Sequence, residues 1–443
     1  MTGGVREERS EGAPAARAAR RIAVVGGGWA GMAAAVTLIQ GGALPTVFEA
    51  AQIPGGRARR AMLDGVALDN GQHILIGAYR ETLRILREIG VDPDVALLRM
   101  PLALEIAGHF RLRTMRLPAP LHVAVGLLGA RGMTIADRLG IARFMHAMRT
   151  RDYRLAADVP MPELLAEHGQ LGAPTDLLWE PLCVAALNTP LAVASAQVFL
   201  NVLRDSLGAE RAASDLLLPR ADLSALLPEP AARHVVARGG QVLLGKRVTS
   251  IAPAPDGLAV DGERYAAVIL ACAPQHAARL LEASGLLPAI RALLAQLTFE
   301  PIYTCYLQYD ETVALPRPMV GLREGLLQWA FDRGALGGRR GLMAAVVSAR
   351  GEHEELLHGA FAQMAHHELA RVVPALPAPR WSRVIAEQRA TFSCVPNLVR
   401  PGNATDVRDL FLAGDYTASD YPATLEGAVR SGVAAARMAL AAP

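Results

Sequence analysis

The chain has 443 residues, 52% hydrophobic and 20% charged, with a formal net charge of +3. That length exceeds what one hydrophobic core usually supports, so two spatial domains are expected, globular rather than disordered. The small net charge, with no basic run interleaved with aromatics, speaks against a nucleic-acid partner.

Residues 1–20 are rich in Arg, Glu and Ala without an apolar core, and read as a disordered lead, not a secretory signal. A short apolar strand is predicted over 22–25, then a helix to about residue 40 and a second strand over 46–49. Residues 65–72 mix turn and strand signals, and 79–89 has helical periodicity with Leu83 and Leu86 on one face. From about 100 to 232 the texture turns to Leu/Ala/Arg helical stretches broken by Pro118, Pro160, Pro174, Pro190 and Pro228. A β-rich block follows, with strands expected over 234–238, 241–244, 248–251, 258–260 and 267–272. Residues 291–404 mix strands, such as 302–309 and 342–348, with a helix over about 353–373. The tail returns to a strand over 409–413 and a helix from about 424 to 441. The uncharged run 181–203 is broken by Asn188, Thr189 and Pro190, so no spanning helix is predicted. Cys183, Cys272, Cys305 and Cys394 lie far apart without metal-ligand spacing, and read as buried, inert thiols in a reducing cytosol.

Gly26-Gly27-Gly28-Trp29-Ala30-Gly31 supplies GxGxxG directly after an apolar strand and before a helix. Gly26 permits a tight turn, Gly28 lets the backbone approach a pyrophosphate, and Gly31 allows close helix–strand packing. The helix start, with Trp29 and Ala30, offers unpaired N–H groups to the anion. Glu49 ends the second strand, where an acid bonds ribose hydroxyls. Pro54-Gly55-Gly56-Arg57 then adds a double-glycine turn and a guanidinium beside the same phosphates, which favours FAD over NAD. Far along the chain, Gly414-Asp415 follows a strand and Glu426-Gly427 opens the last helix, whose positive end suits a flavin.

These motifs resemble the amine oxidase and phytoene desaturase superfamily of flavoproteins, over residues 20–441. Four further stretches resemble its squalene-associated subfamily, the bacterial hydroxysqualene dehydroxylases of hopanoid synthesis. They are Leu68-Asp69-Asn70-Gly71-Gln72-His73, the segment from Pro181-Leu182-Cys183 to Leu187-Asn188-Thr189-Pro190, Ala196-Gln197-Val198-Phe199-Leu200, and Tyr421-Pro422-Ala423-Thr424-Leu425-Glu426-Gly427. The resemblance implies FAD as cofactor and reductive loss of an allylic hydroxyl from a polyprenyl substrate to give squalene. A carotenoid or squalene desaturase shares the cofactor motifs, and a flavin-binding polyprene carrier without chemistry is the rival from another class. The resemblance further implies that Val248 pairs its backbone with adenine, that Gly71 lies near the flavin, and that Leu425 and Glu426 meet the isoalloxazine. It also suggests a cytoplasmic protein, peripheral at the inner membrane, beside squalene-synthase-like enzymes. The expected fold is α/β. A discontinuous Rossmann-type FAD-binding domain is assembled from 20–100, 233–290 and 405–443, and a mixed α+β substrate domain from 101–232 and 291–404.

Several residues admit two readings. His73 is either a proton donor to the departing hydroxyl or a histidine hydrogen-bonded into the fold that orients the flavin. Asp69 either caps a turn or orients His73. Asp420 and Tyr421 either reach the substrate end of the flavin or serve a turn. His366 and His367 lack a third metal ligand and read as solvated surface. Lys246, the only lysine, lies in the block tied to adenine, away from where an amine oxidase needs one. The apolar stretch 117–148, carrying Arg131, Arg138 and Arg143 with Arg149 just beyond, is either a membrane-facing surface or an ordinary helix with a buried face.

Overall fold

The computed structural model describes residues 20–208 and 210–442. The expected lead over 1–20 lies outside them except for Arg20, whose Nη1 donates to the Ala442 carbonyl oxygen at 2.6 Å.

Five strands drawn from the whole length of the chain form one parallel sheet. They are β1 (Arg21–Val25), β2 (Leu44–Glu49), β3 (Gln241–Leu244), β4 (Ala267–Leu270) and β5 (Leu410–Leu412), in the order β3-β2-β1-β4-β5. Its central strands are covered on both faces, which explains why β1 and β4 read as continuous apolar runs rather than alternating ones. Between β1 and β2 runs α1 (Trp29–Gln40), buried from Trp29 to Leu38. In chain order there follow α2 (Arg80–Glu88), α3 (Leu121–Leu128), α4 (Ile135–Thr150), α5 (Ala196–Leu203), α6 (Pro228–Val236) and α7 (Leu425–Ala441). Among the described residues no helix is long and apolar enough to cross a membrane.

A second sheet of seven strands runs Trp381–Phe392, Phe299–Gln308, Leu342–Ser348, Trp329–Asp332, Met319–Gly321, Ala103–Ile106, Phe110–Arg113. Its pleat sorts side chains by alternation. Cys305, Leu307, Ala345 and Val347 pack toward the helix His358–Leu369 through Phe361 and Ala365. Tyr306, Phe331, Ala344 and Val346 face the other way, into the largest core.

The structure departs from the expected elements in three places. The strand expected over 234–238 belongs to α6: Pro228 at its first position and Glu229 in its first turn begin a helix that carries Val235 through. Leu227, Ala231 and Val235 recur at helical spacing and pack into the core beside α1, a period that the adjacent valines conceal. The strand expected over 248–251 forms only from Ile251 (Ile251–Ala254). The stretch read as helical from 100 to 232 contributes Ala103–Ile106 and Phe110–Arg113 to the second sheet, and Leu216–Pro219 to a small third one. Cys183, Cys305 and Cys394 are free and buried, whereas Cys272, expected to be buried with them, is free and only half-buried. Burial pushes the thiols of Cys305 and Cys394 up to about 12, and that of Cys183 higher, as expected of inert groups.

Candidate active site

A single cavity of about 1040 Å³ is lined by the loops leaving the carboxyl ends of all five parallel strands: Gly28, Glu49, Lys246, Ala271 and Asp415 each come from a different one. This is where an open α/β sheet places its ligands. Glycines there fall into two kinds. Gly26 has φ +116°, and a Cβ on Gly31 would lie 1.9 Å from the Gly26 carbonyl oxygen, so the fold itself requires both. Gly28 has φ −74°, and an added Cβ would meet nothing closer than Gly56 Cα at 3.8 Å. Neither strain nor protein packing accounts for its missing side chain. The open space before it does, since Gly28 lines the cavity. Gly28 is also the N-cap of α1 and offers no side-chain acceptor, which leaves the N–H groups of the first turn to an anion. This cradle fits a pyrophosphate.

Beside it, Glu49 accepts from Gly27 N and Ala51 N, both at 2.7 Å, which fixes the carboxylate at the end of β2. The Lys246 amide donates to the Glu49 carbonyl at 2.8 Å, so Lys246 and Val248 stand at this same end. Gly55 N donates to Gly27 O at 2.9 Å and locks the two glycine turns together, while Trp29 Nε1 reaches Ala58 O at 3.0 Å.

Arg57 takes a role that its motif does not announce. Its Nη2 pairs with Asp415 Oδ1 at 2.6 Å and its Nη1 donates to Ala390 O at 2.7 Å. The guanidinium expected beside the phosphates lines the cavity and also ties the double-glycine turn to the Gly414-Asp415 turn, 358 residues away. Glu426 is a second such case. It is 2% exposed, and its carboxylate accepts from Glu81 N, Thr82 N and Thr82 Oγ1 while pairing with Arg430 Nε at 2.7 Å. That carboxylate caps α2, while the start of α7, with Thr424, Leu425, Glu426 and Ala428, lines the cavity.

Gly71 and His73 both line the cavity. Burial and the neighbouring Arg57 cation hold the His73 imidazole down to about 4. A ring held down in this way is mostly neutral at pH 7, which favours an orienting role for His73 over that of a cationic proton donor. Asp69 does not orient it: Asp69 Oδ1 accepts from Leu223 N at 2.8 Å, and Oδ2 lies 3.8 Å from Arg333. Beneath the loop, Tyr306 Oη donates to Asp69 O and receives Gln72 Nε2, each at 2.8 Å. His366 is half-buried with Nδ1 3.1 Å from Tyr309 Oη, and only His367 is solvated as expected. Among the described residues no cluster could hold a metal ion.

The sequence reading singled out Asn188 and Thr189 without their bonding role, and it missed a second pocket. Asn188, in the left-handed conformation at φ 46°, donates to Thr391 Oγ1 at 2.9 Å and accepts from Ala349 N at 2.8 Å, while Thr189 Oγ1 accepts from Cys394 N. The Asn-Thr-Pro stretch thus stitches a helix end to the second sheet, and its left-handed turn residue was the available signal. A smaller apolar pocket of about 220 Å³ lies under α3 and α4 and shares Leu102, Leu104, Leu182 and Leu207 with the main cavity.

The family model for flavin-containing amine oxidoreductases matches residues 29–440. The chain belongs to that family. It is an FAD-dependent oxidoreductase. Among curated relatives, the hydroxysqualene dehydroxylase of Rhodopseudomonas palustris is 30% identical, covering 96% of this chain and 99% of its own length. A probable zeta-carotene desaturase of Synechococcus elongatus is 24% identical over 95% and 98%. Among solved structures, a putrescine oxidase double mutant superposes with a TM-score of 0.72 at 18% identity, covering 95% of this chain and 99% of that one. This last likeness is one of fold.

Proposed function

We propose that the protein reductively dehydroxylates hydroxysqualene to squalene. The observation that carries this reading is the full-length similarity to hydroxysqualene dehydroxylases. The apolar pocket continuing the main cavity, which suits a hydrocarbon chain, supports it. FAD, when bound and reduced, supplies hydride to such a reaction. In this proposal the chain's own residues do the rest. The α1 start at Gly28, Trp29, Ala30 and Gly31, with Gly26, Gly55 and Gly56, holds the pyrophosphate, and Glu49 and Val248 hold the adenosine. Gly71, Gly414, Asp415 and Leu425 flank the flavin, with Arg57 and Glu426 fixing the loops that carry them. Apolar walls at Leu182, Ile302 and Trp329 exclude water around the reacting carbon.

Peripheral membrane contact forms part of the proposal. Leu121, Leu128, Ile135 and Leu139 are exposed on α3 and α4, directly over the smaller pocket, with Arg131, Arg143 and Arg149 exposed around them. Such a face suits the headgroup boundary of a bilayer that stores the substrate. Arg138 is committed elsewhere, its Nη1 capping α3 at Leu128 O.

The test is anaerobic turnover of hydroxysqualene with purified protein and chemically reduced FAD, followed by product analysis. Squalene is the expected product. A polyene gaining a double bond, with the alcohol untouched, would instead establish the desaturase suggested by the carotene desaturase relatives.

A further inference from the structure

Just before α7, Tyr421 Oη donates to Asp205 Oδ2 at 2.8 Å, and Asp205 Oδ1 accepts from Arg204 Nε at 2.8 Å. Asp205 lies in the turn Arg204–Gly208 that continues α5, so two distant elements meet here. Both side chains line the main cavity. The Arg430 guanidinium, 4.9 Å from the centroid of the Tyr421 ring, holds that ring from behind. Leu207 of the same turn lines both the main cavity and the apolar pocket, and Leu425 stands four residues beyond Tyr421 at the start of α7. The pair therefore sits where the flavin end of the cavity meets its apolar extension.

We propose that Tyr421 is the catalytic acid of the dehydroxylation, giving its phenolic proton to the departing hydroxyl oxygen, with Asp205 as the positioning residue whose carboxylate holds the phenol at the cavity wall until the substrate oxygen replaces it as acceptor. This rests on the function proposed above. The allylic C–O bond breaks with both electrons on oxygen, and the Tyr421 proton joins that oxygen as water leaves. The carbon gains the hydride that a reduced flavin nucleotide supplies as reductant, and solvent returns a proton to the phenolate.

Acidity orders the candidates. Hydroxide is the conjugate base of water, whose pKa is about 15.7. Burial and the bond to Asp205 push the Tyr421 phenol up to about 12, still well below water, so the transfer runs downhill. His73, held down to about 4, is mostly neutral at pH 7, and the N–H of a neutral imidazole is a weaker acid than a phenol.

Tyr421→Phe keeps the ring and its contact with Arg430. Flavin content and the rate of flavin reduction by dithionite should match wild type, while turnover of hydroxysqualene falls about 10²–10⁴-fold. The loss should shrink on the acetate ester of the same alcohol, whose leaving group needs no proton. Without turnover, the oxidised variant should bind hydroxysqualene about 5-fold more weakly, as one lost hydrogen bond implies, and squalene unchanged. Asp205→Asn should lower turnover less than Tyr421→Phe and leave squalene binding intact. Undiminished turnover in Tyr421→Phe, equal loss on alcohol and ester, or loss of flavin would each overturn the assignment. If wild type leaves hydroxysqualene unchanged, the dehydroxylase reading falls and takes this assignment with it. An active wild type beside an unimpaired variant overturns the assignment alone.

Discussion

At Gly28 a valine side chain would enter space that no protein atom claims, so Gly28→Val separates cofactor retention from folding. The variant should lose about 1 kcal/mol from a poorer N-cap and stay folded, yet purify colourless because the branched side chain fills the phosphate cradle. A thermal melt and the visible flavin absorbance check both halves, and a yellow, stoichiometrically loaded variant would refute the cradle. This position was legible in the sequence because GxGxxG fixes backbone, strand and helix together, and those are local. Arg57 and Glu426 were legible as members of the site but not in their roles. Their partners, Asp415 for one and the first turn of α2 for the other, lie more than 300 residues away, and no local pattern says which way a long side chain turns.

The helices show the same division one level up. Periodicity placed α2 and α7, whereas α6 hid behind its adjacent valines, which local propensity assigns to a strand. The stretch 117–148 has both a buried and an exposed apolar set. Leu127, Ile141, Phe144 and Met148 are buried, while Leu121 and Leu128 are 55% and 64% exposed. Only the packing of α3 on α4 decides which leucines face outward. Exposed positions tolerate charge within about 0.5 kcal/mol, so Leu121→Glu with Leu128→Glu should leave the melting temperature nearly unchanged. In fractionated cells the doubly substituted protein should move from the membrane pellet to the supernatant. A folded double variant that still pellets, or a wild type that never does, would remove lipid contact from the proposal.

For the whole molecule, the two sheets meet across the cavity, and Asp69 lies buried near that seam with Arg333 of the second sheet's border beside it. Burial raises the Asp69 carboxyl to about 6 from its ordinary 3.8, against the opposing pull of the Leu223 amide and Arg333. The folded state thus holds this proton more tightly than the unfolded chain. Its stabilising contribution is complete below about pH 4 and is lost as pH rises through about 6, amounting to ~2–3 kcal/mol. Asp69→Asn, whose amide oxygen still accepts from Leu223 N, should flatten the fall in stability between those limits in pH-dependent denaturant melts. Identical slopes for variant and wild type would place the titration elsewhere. The α/β class and its discontinuous sheet were legible because each strand carries its own apolar run; the seam was not, because it is made of contacts between segments far apart in sequence. The Arg57–Asp415 pair has a consequence in time. Synthesis in the N-to-C direction exposes the glycine cradle early, but Asp415, the partner of Arg57, and the strand β5 just before it follow only about 350 residues later. Until then the guanidinium lacks this counter-ion and the flavin end has no wall, so the cofactor can be captured firmly only once that late strand has folded back onto the sheet.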